Sequence, residues 1–214
     1  MAKSKSVLLQ SLSGKLDNYV ICHSGNKTYV RRRPERMTNP KSEGQMAQRA
    51  KLTGGQAMYR MLKNSVLKEV NDIAARENDK RSGYLWFLHG NMNAFGADNY
   101  IDYSLLRLTA GSLQQVFALE MTRADEKRLE LKWMNNSCTV TSQSTDRLMV
   151  AAIFDDEPFT PVMLSGVKAV RKDGYAFVNL PEGEWQTVHL YCFFGMEGGK
   201  RYSPCVYFNV CKPE

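Results

Sequence analysis

The chain has 214 residues, of which 43% are hydrophobic and 24% are charged, as in ordinary globular proteins that bury a substantial core. The formal net charge of +7 is unevenly placed: residues 1–65 hold 13 basic and 3 acidic residues, whereas residues 66–214 hold 16 basic and 19 acidic ones. The basic excess therefore belongs to the N-terminal part, which predicts contact with an acidic partner or surface.

Apolar runs and cysteines argue against a secreted or membrane protein. The densest apolar run, Tyr-Leu-Trp-Phe-Leu at residues 84–88, is far shorter than the ~20 residues of a membrane span, and no N-terminal run forms a signal peptide. The 5 cysteines include no Cys-x-x-Cys pair, which favours reduced thiols in the cytoplasm. A disulfide between Cys192 and Cys205 stays open as an alternative if their strands pair.

The first block of the chain, residues 6–33, is predicted to be β-structure. Its second half is typical of a hairpin, because Ser24-Gly25-Asn26 offers residues that tolerate a positive φ at the turn. Alternation divides the second arm into two faces, one with Thr28, Val30 and Arg32 and the other with Tyr29, Arg31 and Arg33. We therefore expect arginines on both faces of an exposed strand end.

The second block is predicted to be helical from Ser42 to about Glu77, with a shorter helix near 83–94. Prolines at 34 and 40 disfavour helix before themselves, and Ser42 with Gln45 then forms a capping box. Gly54-Gly55 predicts a bend, a break or a close backbone contact, since a glycine pair costs about 2 kcal/mol in a helix. The apolar stripe expected to face a core consists of Met46, Ala50, Ala57, Met61, Leu62, Val66, Val70 and Ile73.

The third block, from about Gly111, contains roughly seven short β-type runs separated by turn residues, which indicates a β-sandwich. We predict an α+β protein with a basic hairpin and helical region at 1–108 and a sandwich domain at 109–214. The burial of Trp185 is left open. The residues expected to be buried in the sandwich are Leu131, Trp133, Val150, Ile153, Phe177, Leu190, Cys192 and Val206.

Residues 12–51 carry a signature made of Ser13, Gly14, Lys15, Leu16, Asn18, Val20, Val30, Arg31, Asn39, Pro40, Ser42, Gln45 and Arg49. Through these residues the chain resembles an uncharacterised domain family common in Bacteroidetes. The family usually has Gly at the position of Asp17 and Thr at the position of Ser42, and serine caps a helix equally well. The resemblance extends over the whole chain and implies a fold but no reaction. Similar signatures occur in phage-related proteins, so a structural role in a phage or mobile element, inside a particle assembled in the cytoplasm, follows by analogy only.

The C-terminal block separately resembles a fibronectin type III or immunoglobulin-like module. The segment from Leu180 to Val210 has the character of the last two strands of such a module.

Residues with catalytic or metal-binding chemistry form no recognisable site in the sequence. His23, His89 and His189 are far apart, and Cys22 beside His23 lacks a third orienting group. The acidic run 155–157 precedes Pro158 and is better read as a solvated loop than as a Ca²⁺ site. We therefore expect no enzymatic activity, no cofactor and no metal.

One feature of the sequence is better explained by a binding function than by a structural role. It is the basic cluster of Arg31, Arg32, Arg33, Arg36 and Arg49. Bidentate arginine suits carboxylates in a protein interface, which favours a protein partner or self-assembly. Phosphate neutralisation would instead give a nucleic-acid-binding protein, although no nucleic-acid motif accompanies the charge. The remaining interpretations are a solvated basic face and a clasp in which Arg49 stabilises the preceding connector.

Overall fold

A computed structural model describes residues 2–3, 12–24, 27–36, 39–123, 125, 127–137 and 139–212. The chain divides into two compact units, Met1–Ser42 and Glu43–Glu214. The first unit contains antiparallel strands, and the second contains helices followed by two antiparallel sheets. The predicted α+β class is thus confirmed.

The first unit is a four-stranded antiparallel sheet in the order β1-β4-β3-β2. Its strands are β1 (Ala2–Lys3), β2 (Gly14–Leu16), β3 (Tyr19–Ser24) and β4 (Lys27–Arg32). Pairing of Ser24 with Lys27 confirms the predicted hairpin, while its turn residues 25–26 lie outside the described part of the chain. A two-residue turn also joins β2 to β3, and Asp17 adopts a φ of 48° there. Aspartate tolerates that conformation better than most residues.

The second unit begins with α1 (Glu43–Met61), followed by a 3-10 turn (Leu62–Asn64), α2 (Val66–Glu77) and α3 (Gly83–Asn91). The predicted long helix is therefore interrupted. Ser65 is extended at φ −120° and ψ 159°, and its hydroxyl donates to the Leu62 carbonyl at 2.9 Å. This serine closes the first segment and starts α2 in a new direction.

The glycine pair in α1 marks a close contact and not a break. The helix runs through Gly54 and Gly55 without interruption. A Cβ added to Gly55 would lie 2.7 Å from Leu88 Cδ2, and one added to Gly54 would lie 3.1 Å from the Phe95 ring. Any larger residue would push these neighbours apart, so glycine lets α1 approach them.

The apolar stripe predicted for the helices is only partly buried. Leu62 and Val70 are buried, but Met46 and Met61 are each 50% exposed. The first two turns of α1, from Glu43 to Arg49, are exposed throughout. Helical periodicity correctly indicated a helix here, but the core contact begins only near Gly54, where α3 packs against α1.

The remaining strands form two sheets with the orders β5-β6-β9 and β11-β10-β7-β8. They are β5 (Phe117–Arg123), β6 (Arg128–Met134), β7 (Arg147–Phe154), β8 (Val162–Met163), β9 (Tyr175–Asn179), β10 (Thr187–Gly195) and β11 (Val206–Cys211). The first, second and fifth strands form one sheet, and the other four form the second. This arrangement is a fibronectin type III-like sandwich, as the sequence predicts.

The sheet containing β7 and β10 is buried on both faces. One face packs on the other sheet through residues such as Leu131, Val150 and Leu190. The opposite face packs on the helices through Ile153, Phe193 and their neighbours. The helices and this sheet therefore share a core. The domain boundary expected at 108/109 falls between the last helix and the first sandwich strand, and it stays a prediction.

Most residues expected in the sandwich core are buried there, but Ile153 is buried on the helix-facing side of its sheet, and the expectation for Phe177 is wrong. Phe177 is 40% exposed, because the register sets its neighbours Ala176 and Val178 opposite Leu131 and Leu129 on the inner face. Val206 is only partly buried. Trp185 is buried and donates its indole N–H to the Pro181 carbonyl at 3.1 Å.

The interior also contains the thiol of Cys192 and a buried ion pair. The four described cysteines, Cys22, Cys192, Cys205 and Cys211, are all free. Arg171 and Asp146 are both fully buried, and the Arg171 Nε lies 3.0 Å from an Asp146 carboxylate oxygen. The guanidinium also donates to the Gln114 carbonyl at 2.9 Å and lies 4.0 Å from the centre of the Phe194 ring. This pair ties the loops at one end of the sandwich together.

Candidate functional site

The sheet of the first unit has one basic face. Residues directly opposite each other in antiparallel strands point to the same face. Lys15 is opposite Val20, and Val20 is opposite Arg31, so Lys15 and Arg31 flank one apolar side chain. Lys27 and Tyr29 follow the same alternation on β4. We call Lys15, Lys27, Tyr29 and Arg31 the basic face; its three cations are exposed and Tyr29 is half-buried.

The opposite face of this sheet is less basic and more buried. Ile21 and Thr28 are buried there. His23 lies between two hydrogen-bond partners, the Thr28 hydroxyl at 3.0 Å and the Leu12 carbonyl at 2.8 Å. These contacts give His23 a structural role in holding the sheet edge.

Arg32 belongs to this second face, because it is opposite Tyr19. Its guanidinium donates to Glu35 at 2.8 Å, but the two side chains are 72% and 80% exposed. Exposed ion pairs of this kind contribute little to stability. Sequence alternation correctly separated Arg32 from Arg31.

Arg33 and Arg36 follow β4 and have exposed side chains. The Arg33 backbone N–H donates to the Asn18 carbonyl at 2.7 Å, which extends the pairing one residue past the strand. The first unit therefore presents a run of cations that continues from the basic face into the connector.

The remaining predicted residues lie where the second unit begins. Ser42 directly precedes α1, which starts at Glu43, so it occupies the position expected of a helix cap. The capping bonds between Ser42 and Gln45 stay a prediction. Arg49 lies in the exposed first half of α1, and its carbonyl accepts from the Thr53 hydroxyl at 2.9 Å.

The acidic run 155–157 is exposed, and its first residue accepts hydrogen bonds from backbone N–H groups. The Asp155 carboxylate accepts from the N–H groups of Gln186 at 3.0 Å and Thr187 at 2.9 Å, which holds the start of β10. Across the part of the chain that the structure describes, no three or more His, Cys, Asp or Glu side chains are grouped closely enough to hold a metal ion.

His189 lies in an aromatic stack on β10. Its ring stacks on Tyr103 at a centroid distance of 3.7 Å, and Nδ1 lies 2.9 Å from the Tyr207 hydroxyl. Burial lowers the pKa of His189, and the carboxylate of Asp155 only partly opposes that shift. The neighbouring Tyr191 hydroxyl donates to the Tyr103 carbonyl at 2.9 Å, and burial raises the pKa of Tyr191. The stack therefore fastens the loop after the helices onto the sheet.

A cavity of about 660 Å³ adjoins α2 and α3, and its lining includes His89. The Asn91 amide in its wall donates to the Phe87 and Arg107 carbonyls at 2.9 and 3.0 Å and accepts from the Arg107 N–H at 2.7 Å. Asn71 likewise donates to the Leu67 and Leu108 carbonyls. These amides hold the loop 105–108 in place, and the NH₂ groups of both are already hydrogen-bonded.

Sequence reasoning missed an aromatic surface on the outer face of the β5-β6-β9 sheet. Tyr175 and Phe177 are 55% and 40% exposed, with ring centroids 6.3 Å apart. The Arg128 guanidinium carbon lies 3.8 Å from the centre of the Phe177 ring. The signal was the alternation of Ala176 and Val178 with these two aromatics, which fits one buried and one exposed face.

The strand orders β5-β6-β9 and β11-β10-β7-β8 define a fibronectin type III-like sandwich. Helices pack on one of its two sheets. The chain belongs to a family of unknown function (DUF6266), whose model matches residues 11–209. This confirms the resemblance to a domain family without an assigned reaction, while a distribution in Bacteroidetes stays a prediction. Among solved structures, the fn3 domain of human contactin 1 is similar at 7% identity and a TM-score of 0.30, over 50% of this chain and 82% of that one. No curated protein matches the chain.

None of the described helices combines the length and the apolar character needed to cross a lipid bilayer.

Proposed function

We propose that this protein binds another protein and has no catalytic activity, and that the basic face of its N-terminal sheet receives an acidic segment of the partner. The observation that carries the proposal is the cross-strand register of Lys15, Val20 and Arg31, which puts two cations on one side of a small sheet. Lys27 adds a third exposed cation on that side. Carboxylates are suitable ligands, because arginine binds them with two parallel hydrogen bonds.

A non-catalytic role is supported by what the polar candidates already do. His23 and His189 each have structural hydrogen-bond partners, and Asp155 binds backbone N–H groups. A general base or nucleophile needs a free position beside a reacting group. These side chains instead hold strands and loops together.

A nucleic-acid ligand is the second candidate, and the presence of Tyr29 on the basic face favours it. Aromatic side chains stack on exposed bases, and each stack contributes about 1–3 kcal/mol. Tyr29 is, however, half-buried, so only part of its ring is available for stacking. Proteins that bind single strands combine a basic groove with aromatic rings that stack on successive bases. The basic face contains Tyr29 as its aromatic residue, and that ring is half-buried, so a protein partner is the better interpretation.

The test uses the full chain and fluorescein-labelled probes: a poly-glutamate peptide, a random DNA duplex and a DNA single strand. The face variant replaces Lys15, Lys27 and Arg31 with Ser. The matched control replaces Arg60, Arg81 and Arg201 with Ser, which removes the same charge from exposed positions of the second unit. Fluorescence anisotropy then gives the affinities between about 50 and 200 mM salt.

We expect the peptide to bind the parent and the control equally and to lose about tenfold or more of its affinity for the face variant. Stronger binding of DNA than of the peptide, falling about 40-fold over this salt range as three phosphate contacts require, would replace the proposal with nucleic-acid binding. Equal binding by the face variant and the control would overturn it as well.

A structural role in a phage or mobile element is a finer proposal that rests on the sequence analogy alone. It predicts that the gene lies beside genes for virion or mobility proteins. A position among unrelated metabolic genes in several genomes would contradict it.

A further inference from the structure

Within the described part of the chain, strand β9 has an open edge. It is the outermost strand in the order β5-β6-β9. The Trp133 N–H donates to the Gly174 carbonyl at 2.9 Å and the Leu180 N–H donates to the Lys127 carbonyl at 2.8 Å, so the even-numbered residues of this strand face β6. In an antiparallel ladder the alternate residues then direct their N–H and C=O groups away from the partner. Those residues are Tyr175, Phe177 and Asn179.

The other edges of the described sandwich are protected. Strand β5 carries charged residues and a register shift with Ala118 at a φ of 48°, and β8 has only two residues. Along β11, the Cys205 carbonyl accepts from Gln115 at 2.8 Å and the Cys211 carbonyl accepts from Arg123 at 2.7 Å. Natural sheets block their edges by such devices, because unpaired strands recruit other strands.

Strand β9 lacks these devices. Its sequence, Tyr-Ala-Phe-Val-Asn, contains no charge and no proline, and its composition favours β-pairing. A groove of about 330 Å³ separates the strand from the segment 166–169. None of the described strands pairs with this edge, so it is open to another strand.

We propose that β9 pairs in antiparallel fashion with β9 of a second copy of this chain, around a twofold axis at Phe177. Phe177 is the middle residue of the strand. Pairing of Phe177 with its own copy sets Tyr175 opposite Asn179, so all outward backbone groups of the strand are satisfied at once. The two three-stranded sheets then join into one sheet of six strands.

Charge complementarity selects a second copy as the occupant. The segment before β9 carries the exposed cations Lys168 and Lys172, together with Asp173, whose carboxylate accepts from the Val170 N–H at 2.8 Å. The segment after it carries the exposed anions Glu182 and Glu184, of which Glu182 also pairs with Lys127 at 2.6 Å. In an antiparallel pair, the basic end of each copy lies beside the acidic end of the other. A parallel pair would bring like charges together, which is unfavourable.

This surface lies outside the basic face, and the inference does not rest on the proposed function. Loss of self-association and loss of acidic-peptide binding are separate results, obtained with separate variants.

The experiment measures the mass of the full chain by light scattering after size exclusion at about 100 µM, a concentration that detects weak dimers. We expect the parent to give twice the monomer mass of 24.3 kDa. Phe177→Lys should give a monomer, because it places two like charges on the twofold axis. The matched control Thr122→Lys changes an exposed position of β5 by the same charge and should remain a dimer.

A charge-reversal pair excludes simple misfolding. One variant carries Lys168→Glu with Lys172→Glu, and the other carries Glu184→Lys, which leaves the ion pair of Glu182 with Lys127 intact. Each alone should be monomeric or at least tenfold weaker in association, and an equimolar mixture should form a heterodimer because opposite charges again meet. A monomeric parent, a dimeric Phe177→Lys variant or a mixture that stays monomeric would overturn the proposal.

Discussion

Replacing Arg171 with Met should destabilise the protein severely, because the substitution leaves Asp146 as a buried charge without its partner. The two side chains have no solvent exposure, and the carboxylate accepts from Arg171 Nε at 3.0 Å. The Arg171 guanidinium also donates to the Asn136 side chain and the Gln114 carbonyl. Methionine keeps much of the packing volume and removes all of these donors.

The magnitude follows from the cost of breaking a buried pair, about 3–5 kcal/mol. Such a loss is a large part of the 5–15 kcal/mol that stabilises a typical domain. Urea unfolding with a slope of about 2.5 kcal/mol per M should therefore show a midpoint lowered by about 1.5 M. The matched control is Arg147→Met, whose ion pair with Glu197 at 3.5 Å is exposed and should cost less than about 1 kcal/mol.

A double variant tests the reasoning directly. Asp146→Leu combined with Arg171→Met removes both charges, so its loss should be smaller than the sum of the two single losses by about 1 kcal/mol or more. If Arg171→Met unfolds the chain completely, Arg171→Lys retains the charge and gives a measurable intermediate loss. Additive single and double effects, or a loss as small as that of Arg147→Met, would refute the account of a coupled buried pair.

Three further predictions concern pH and the helices. Because burial keeps the pKa of His189 below its unfolded value of about 6.5, the unfolded chain takes up the proton more readily, and thermal stability should fall as pH drops below about 6.5. His189→Gln should flatten this dependence, and an unchanged pH dependence would contradict the account. Ser42→Ala should lower the free energy of unfolding by about 1 kcal/mol if the predicted cap forms, as measured in urea; an unchanged value would remove the cap. Gly44→Ala, in open space on α1, should stabilise by up to about 1 kcal/mol, whereas Gly55→Ala must displace Leu88 and should show no such gain in the same assay.

Local patterns were sufficient to predict much of the fold. β-type runs between turn residues located β6, β9 and β10, and helical periodicity located α1 and α2. The same patterns could not show which face of a helix or strand finds a partner. Met46 fits the apolar stripe but lies before the point where α3 meets α1, and Phe177 fits a buried strand but lies on its outer face. Both errors concern the placement of a neighbour distant in sequence.

The candidate surfaces also combine features that local sequence patterns predict with features that they do not predict. The separation of Arg31 from Arg32 followed from strand alternation, so it could be predicted. The addition of Lys15 to the basic face depends on the pairing of β2 with β3, and the open edge of β9 depends on the order of the strands in the sheet. Neither property is encoded within a short segment, because both arise from non-local pairing.

The burial of β10 on both faces has a consequence for how the family can vary. In an ordinary sandwich strand, every second position faces water and tolerates drift, but eight successive residues of β10 are buried from Val188 to Gly195. Relatives should therefore show almost no polar replacement along this strand, and their variation should collect on the outer face of β5, β6 and β9. The sandwich should also be unstable as an isolated domain, because without the helices it would expose the apolar face that contains Phe193.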